Sequence, residues 1–280
     1  MAPRVPKTPP PAVPKKSTGL IPWDEQLAKE AEAAAAAEAK GGASYVSLRG
    51  GILTYQGAAM PGNQMAVIVV DHIFENVFYE GKFDPQNPIP PTCFAFARTG
   101  EELAPHESVV AAGQGQAETC QGCPHNEFGS ADTGKGKACR NSRRLALLPA
   151  GMLDAQGRFT ADIENLGEAE LALMKLPVTS IKGWAGYVQQ LAATLRRPPH
   201  GMITKIKVVP DQKTQFRVIF EALEPVPNEV MEAVMAKRTE AQTIVEQPYS
   251  LEAKEQPAPP AKGARASTPG RQPARKAGKY

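Results

Sequence analysis

All four cysteines of this 280-residue chain, Cys93, Cys120, Cys123 and Cys139, fall in one short stretch. Cys120 and Cys123 form a Cys-x-x-Cys pair, the spacing that turns two thiolates toward one tetrahedral zinc ion. Fifteen residues separate Cys123 from Cys139, which suits the two halves of a zinc ribbon. The second half is incomplete, because Ser142 stands where another Cys-x-x-Cys would close. Cys93, in the segment PPTCFAFA, is the expected fourth ligand, with His125 and His106 as substitutes if Cys93 is buried and inert. The expected cofactor is a structural Zn2+. The competing reading is free thiols or two disulfides. Disulfides suit small secreted domains, whereas this N-terminus is Pro-rich and has no apolar signal core. Catalytic zinc calls for an open coordination position and His or carboxylate ligands, and no His-Glu-x-x-His pairing is present.

The segment from Gly129 to Lys135 satisfies Gly-x-x-x-x-Gly-Lys, the opening of a phosphate-binding loop. Gly136 replaces the magnesium-binding hydroxyl, no apolar strand precedes Gly129, and Cys139 arrives where the helix should run. Nucleotide hydrolysis is therefore rejected. Carboxylates such as Asp71, Glu75 and Glu80 are spread along one expected strand, and the four histidines are dispersed. No spacing calls for a two-metal or general acid–base pair, so no enzyme activity is expected.

What remains is charge and aromatic rings. Lys135, Lys137, Arg140, Arg143 and Arg144 form the densest basic cluster of the expected core, and Lys182, Lys205, Lys207 and Arg217 extend it. Phe94 and Phe96 alternate on one face of a short strand, where rings can stack on unpaired bases. Tyr45, Tyr55, Phe74, Phe78 and Tyr79 are further aromatic candidates, although strand aromatics more often pack inward. Cations that track a backbone, next to stacking rings, are what single-stranded nucleic acid requires. The net charge of +3 is mild, but the C-terminal tail concentrates Lys and Arg, which favours a polyanionic partner.

These residues need a scaffold. Residues 1–20 are Pro- and Lys-rich and read as a disordered basic tail, as do residues 247–280. Residues 21–42 hold an Ala/Glu-rich helix from Trp23 to Lys40, stopped by Gly41-Gly42. The core spans 43–225, with the zinc insertion at about 93–143, and a helix covers 226–246. Strands are expected at 44–48, 52–55, 65–79 (long and bent), 92–98 and 144–149. A hairpin joins 202–209 to 214–223 about Pro210-Asp211. Residues 180–195 alternate as an amphipathic helix with Ser180 as its cap. Trp184 and Tyr187 share a face of that helix and read as core. The fold class expected is mainly β with flanking helices (α+β), an OB-like barrel with an inserted zinc-binding loop. An open α+β sheet is the alternative. No apolar run is long enough to span a membrane.

The pattern Cys120, Cys123, Pro124, Asn126, Gly129, Ser130, then Gly134 to Cys139, Arg140, Arg143, Arg144 and Leu145 resembles a family of tailed-phage and prophage proteins. PPTCFAFA upstream and Leu176 to Val188 downstream extend the likeness over about residues 43–225. The resemblance implies a phage DNA-replication or recombination protein in the bacterial host cytoplasm. Its plan is similar to the helix-destabilising proteins of T-even phages, single-stranded-DNA binders with an OB fold and an inserted zinc. That relative uses one histidine and three cysteines where four cysteines fit here. Single-stranded-DNA-binding proteins also commonly end in an acidic tail that recruits partners, and this tail is basic. The leading expectation is a single-stranded-DNA-binding protein, possessing replication or recombination partners. A zinc-knuckle protein-interaction adaptor is second and a nuclease third.

Overall fold

The strand Gln64–Phe78 is apolar and β-branched through its first half, which favours a pleated, buried surface. In the computed structural model it lies inside the sheet, with partner strands on both edges. The structure describes residues 44–81, 89–132, 134–163 and 166–251, together with Trp23, Gln26, Leu27, Lys29 and Glu30. The chain divides into two units, Met1–Ala43 and Ser44–Tyr280. In the first, Trp23, Gln26, Leu27, Lys29 and Glu30 are helical, with Gln26 donating to Glu30 one turn on. The rest of the expected helix to Lys40, and the tails 1–20 and 252–280, lie outside the described residues.

The second unit is mainly β. Its strands are β1 (Ser44–Ser47), β2 (Thr54–Tyr55), β3 (Ala58–Ala59), β4 (Gln64–Phe78), β5 (Cys93–Ala97) and β6 (Arg140–Leu153). These are followed by β7 (Phe159–Ala161), β8 (Ala172–Leu176), β9 (Met202–Asp211) and β10 (Gln215–Pro225). The helices are α1 (Glu107–Ala111), α2 (Val178–Gln190) and α3 (Met231–Val245). One mixed sheet runs β10-β9-β4-β6-β8-β1-β2-β3, with β5 added to β4 and β7 to β6. Only β1 and β8 pair in parallel among the described strands.

The sheet does not close, so the expected barrel is corrected to the open sheet. One reason is visible at β10, whose Val218 N–H donates to Ser180 Oγ at 2.8 Å. That hydroxyl on α2 occupies an edge position another strand would need. Ser180 is thus not the helix cap expected of it. The helix begins at Val178 after Pro177, with no side-chain cap. Trp184 and Tyr187 are core, as read, packed with Met65, Val67, Leu147 and Val218. Tyr187 also hydrogen-bonds Thr204 at 2.6 Å. Among the described residues no helix is long and apolar enough to cross a membrane.

β4 is paired along both edges. β6 runs along one edge from Ala66 to Val77. On the other edge β9 takes Gln64–Ile68 and β5 takes Phe74–Phe78. Register shifts near Ala66 and Val69 account for the expected bend. At the far end of β4 side chains alternate between two faces. Glu75 and Val77 face the C-terminal segment, and Phe74, Asn76 and Phe78 face the Cys-rich loop.

On the first face lies a buried charge. Glu75 is fully buried and meets Arg144 Nη2 at 2.8 Å and Lys175 Nζ at 2.9 Å, and it accepts from Ser142 and Tyr249. Arg144 also donates to Val245 O and Gln247 O, which fastens the end of α3 to the sheet. Residues Gln247–Leu251 are therefore not tail, since Tyr249 and Leu251 pack with Phe94 and Val77. Burial pushes the Glu75 carboxyl up, but the Lys175 and Arg144 cations, with the Ser142 and Tyr249 hydroxyls, outweigh it and hold it at about 2.

A depressed carboxyl contributes its stability above the ordinary value of 4.5 and loses it as pH falls toward 2. Urea unfolding across pH 5 to 2 should show Glu75→Gln lacking about 3 kcal/mol of the acid-side loss seen in the wild type. Because the cysteines are common to both, the difference isolates Glu75. An identical pH slope in the two proteins would contradict this account.

Candidate functional site

Strand register brings distant cysteines together. Cys93 opens β5 and pairs with Phe78, and Cys139 immediately precedes Arg140, which pairs with Val77 on the opposite edge of β4. The two cysteines thus flank one strand end although 45 residues lie between them. The loop between β5 and β6 supplies the other pair. Cys120 N–H donates to Leu103 O at 2.9 Å, and Pro124 starts a tight turn in which Asn126 N–H donates to Cys123 O at 2.9 Å. Asn126 Nδ2 holds Cys120 O at 2.7 Å, and Cys139 N–H donates to His125 O at 2.7 Å.

All four thiols are free, 7–8% exposed, and line one cavity of about 20 Å3. That is room for a single water-sized particle. Among the described residues no three His, Cys, Asp or Glu side chains stand at metal-holding geometry. Convergence on one small cavity is what the arrangement provides, and a soft, all-sulfur donor set of four is the one that suits tetrahedral zinc. Burial pushes the Cys120 thiol up to about 11 and the Cys139 thiol up to about 12, and like charge on the neighbouring sulfurs adds to both. Neither imidazole lines the cavity. His125 stacks on Phe78 at 4.1 Å, while His106 caps α1 through Ser108 N–H and stacks on Phe94.

The Gly-rich stretch after Cys123 is pinned by its own polar groups. Ser130 Oγ donates to His125 O and accepts from Ala138 N–H, and Gly129 N–H donates to Gly136 O at 2.8 Å. After Lys135 the chain passes through Cys139 straight into β6, so the helix of a nucleotide-binding loop is not there.

Beside the thiol cavity runs a groove of about 730 Å3, walled by Arg49, Phe128, Lys137, Arg140, Val178 and Phe216, with Lys175 at its side. None of its described lining residues is acidic. Phe128 is 83% exposed, with the Lys137 ammonium 5.0 Å above its ring. Arg140 is exposed over Tyr79. Lys175 is engaged by Glu75. Sequence reasoning missed Arg49, Phe128 and Phe216. Phe128 carried a signal, being an aromatic in a polar, Gly-rich loop with no strand face to bury it.

Several expected contact residues are placed otherwise. Phe94 is 1% exposed in the core, so it offers no face to a base. Phe96 is covered, with the Arg144 guanidinium 4.3 Å above it and Tyr249 stacked against it. Arg144 is buried on Glu75 and cannot reach a phosphate. Arg143 lies 3.3 Å over the Phe74 ring on the other face of β6. Lys205 is paired with Glu221, whereas Lys207 and Arg217 share its outer face of the β9–β10 hairpin, as the alternation predicts. Lys135 is exposed on the loop, and Lys182 is exposed on α2. Tyr45 is exposed on β1, and Tyr55 is half-buried.

Compared with protein-family models, curated proteins and solved structures, the chain matches none. The phage resemblance rests on the motif residues quoted above.

The two aromatic classes separate experimentally. Phe94→Ala should lower unfolding stability by about 3–5 kcal/mol, as truncation of a buried ring does. Phe128→Ala should stay within about 0.5 kcal/mol of wild type. Urea denaturation measures both, and equal losses would refute the assignment of Phe94 to core and Phe128 to surface.

Proposed function

We propose that the protein binds single-stranded DNA along the groove beside the Cys-rich loop, and that Cys93, Cys120, Cys123 and Cys139 hold a structural zinc ion that shapes the loop. The groove's lining carries the reading. Arg49, Lys137 and Arg140 stand in it without a carboxylate partner among the described residues, next to the exposed ring of Phe128. A backbone of phosphates meets the cations, and an unpaired base stacks on the ring. The first turn of α2 opens in the groove wall at Val178 with no side-chain cap, which leaves backbone N–H groups for a phosphate oxygen. Lys207, Arg217 and Lys182 lie outside the groove lining and contribute long-range attraction.

Four thiolates fill a tetrahedral ion's positions, so zinc here supplies a cross-link and no reactive water. The binding role needs no catalytic group. The buried carboxylates Glu75 and Asp71 are both engaged, Asp71 by Arg98 at 2.6 Å. On the motif resemblance, the proposed setting is phage DNA replication or recombination in the host cytoplasm, with other proteins of those processes as partners. One observation favours a second reading, a zinc-knuckle adaptor: Phe128 and Val178 expose apolar surface in the same groove, as a protein-docking site would.

Fluorescence anisotropy with labelled oligo-dT, a duplex competitor and a zinc assay on the same sample decides between them. The expected result is single-strand preference that weakens steeply with salt, with one zinc per chain. Lys137→Ala with Arg140→Ala should reduce the slope of log affinity against log salt by about 1.4, or 0.7 for each lost phosphate contact. Phe128→Ala should weaken binding by about 1–3 kcal/mol. Stoichiometric zinc without single-strand preference would overturn the DNA reading and leave the adaptor.

A further inference from the structure

Inside the thiol cavity one polar atom has no partner. Asn76 is 3% exposed, and its Nδ2 is buried without a hydrogen bond. A buried donor left unmet is unfavourable, so its position calls for an acceptor. The amide orientation follows from its other end. Asn76 Oδ1 accepts from Asn141 Nδ2 at 2.6 Å, and the same Nδ2 donates to Asn126 Oδ1 at 3.0 Å. Turning the Asn76 amide over would set two NH2 groups against each other, so the amide keeps this orientation. β4 fixes the side chain further, since Asn76 pairs with Asn141 on one edge and with Ala95 on the other.

We infer that Asn76 is the outer-sphere donor of the metal centre, giving an N–H···S hydrogen bond to Cys120 Sγ when that sulfur is a metal-bound thiolate. The inference rests on the zinc reading above. A neutral thiol is a weak acceptor, whereas a thiolate is a strong one, so metal loading is what satisfies Nδ2. Cys120 is the cysteine that lines both of the cavities in which Asn76 stands. Four thiolates on one divalent cation carry net negative charge, and donors in the surrounding shell spread it. The same relay reaches the groove, because Asn126 Oδ1 also accepts from Lys137 Nζ at 3.3 Å and Asn126 Nδ2 holds Cys120 O. Asn76, Asn141 and Asn126 thus connect the sulfur cavity to a groove cation through side-chain amides.

Cobalt(II) titration of the full-length apo-protein, with zinc back-titration, tests this. Asn76→Leu keeps the volume and removes the donor. It should weaken metal binding about 10–100-fold and move the thiolate-to-cobalt charge-transfer band to lower energy. Unchanged affinity and an unchanged band would overturn the role of Asn76 while leaving the metal site standing. A wild type that shows no tetrathiolate cobalt spectrum would instead remove the metal reading, and this inference with it. If Asn76→Leu does not fold, wild type loaded with cadmium-113 gives an independent readout. Scalar coupling between the metal and one Asn76 side-chain amide proton is expected, and its absence overturns the proposal.

Discussion

The pairing of both edges of β4 at its C-terminal end is the constraint on which the rest depends. Phe78 opposite Cys93 and Val77 opposite Arg140 fix where β5 ends, where β6 begins and what the intervening loop must span. Because a strand alternates strictly, that pairing also sorts side chains into two environments that share a backbone. Glu75 enters a charged lock on one face, and Asn76, the next residue, enters the sulfur cavity on the other. A one-residue slip would bury Asn76 among Arg144 and Lys175 and turn Glu75's carboxylate onto four thiols.

The lock explains why basic residues adjacent in sequence have unlike roles. Arg143 and Arg144 leave β6 on opposite faces, one over Phe74 and one onto Glu75. A fully buried carboxylate is unfavourable unless paired and hydrogen-bonded, and Glu75 satisfies that condition with two cations and two hydroxyls. Arg144, which looks available on composition, is therefore consumed in the interior. Arg140, at the strand's start, and Lys137, on the loop, remain for a ligand.

That division marks the reach of sequence reasoning here. The cysteine cluster, the long bent strand, the β9–β10 hairpin and the core role of Trp184 and Tyr187 were legible, since each rests on local spacing or period. Pairing partners were not. Glu75 and Arg144 are 69 residues apart, and Tyr249 comes from beyond α3, so no local pattern announces the lock. The barrel failed for the same reason, because closure depends on what meets the outer edge of β10, and a serine on α2 does. Phe94 was read on its alternation alone, which identifies a face but not whether that face is covered.

The loop itself offers few fully buried apolar side chains. From Arg98 to Cys139 it runs 42 residues, and its buried apolar members among the described residues are Leu103, Val109 and the three cysteines. The proposed zinc cross-link, joining Cys120 and Cys123 to both flanks of β4, would divide the loop into short, closed segments and supply binding energy as folding energy. If the four cysteines hold zinc as proposed, the groove beside the loop depends on the ion, because Phe128 and Lys137 are carried on the segment between Cys123 and Cys139. Removing the metal should therefore abolish the groove's affinity before it unfolds the sheet, whose strands β4, β6, β8 and β9 bury their own core.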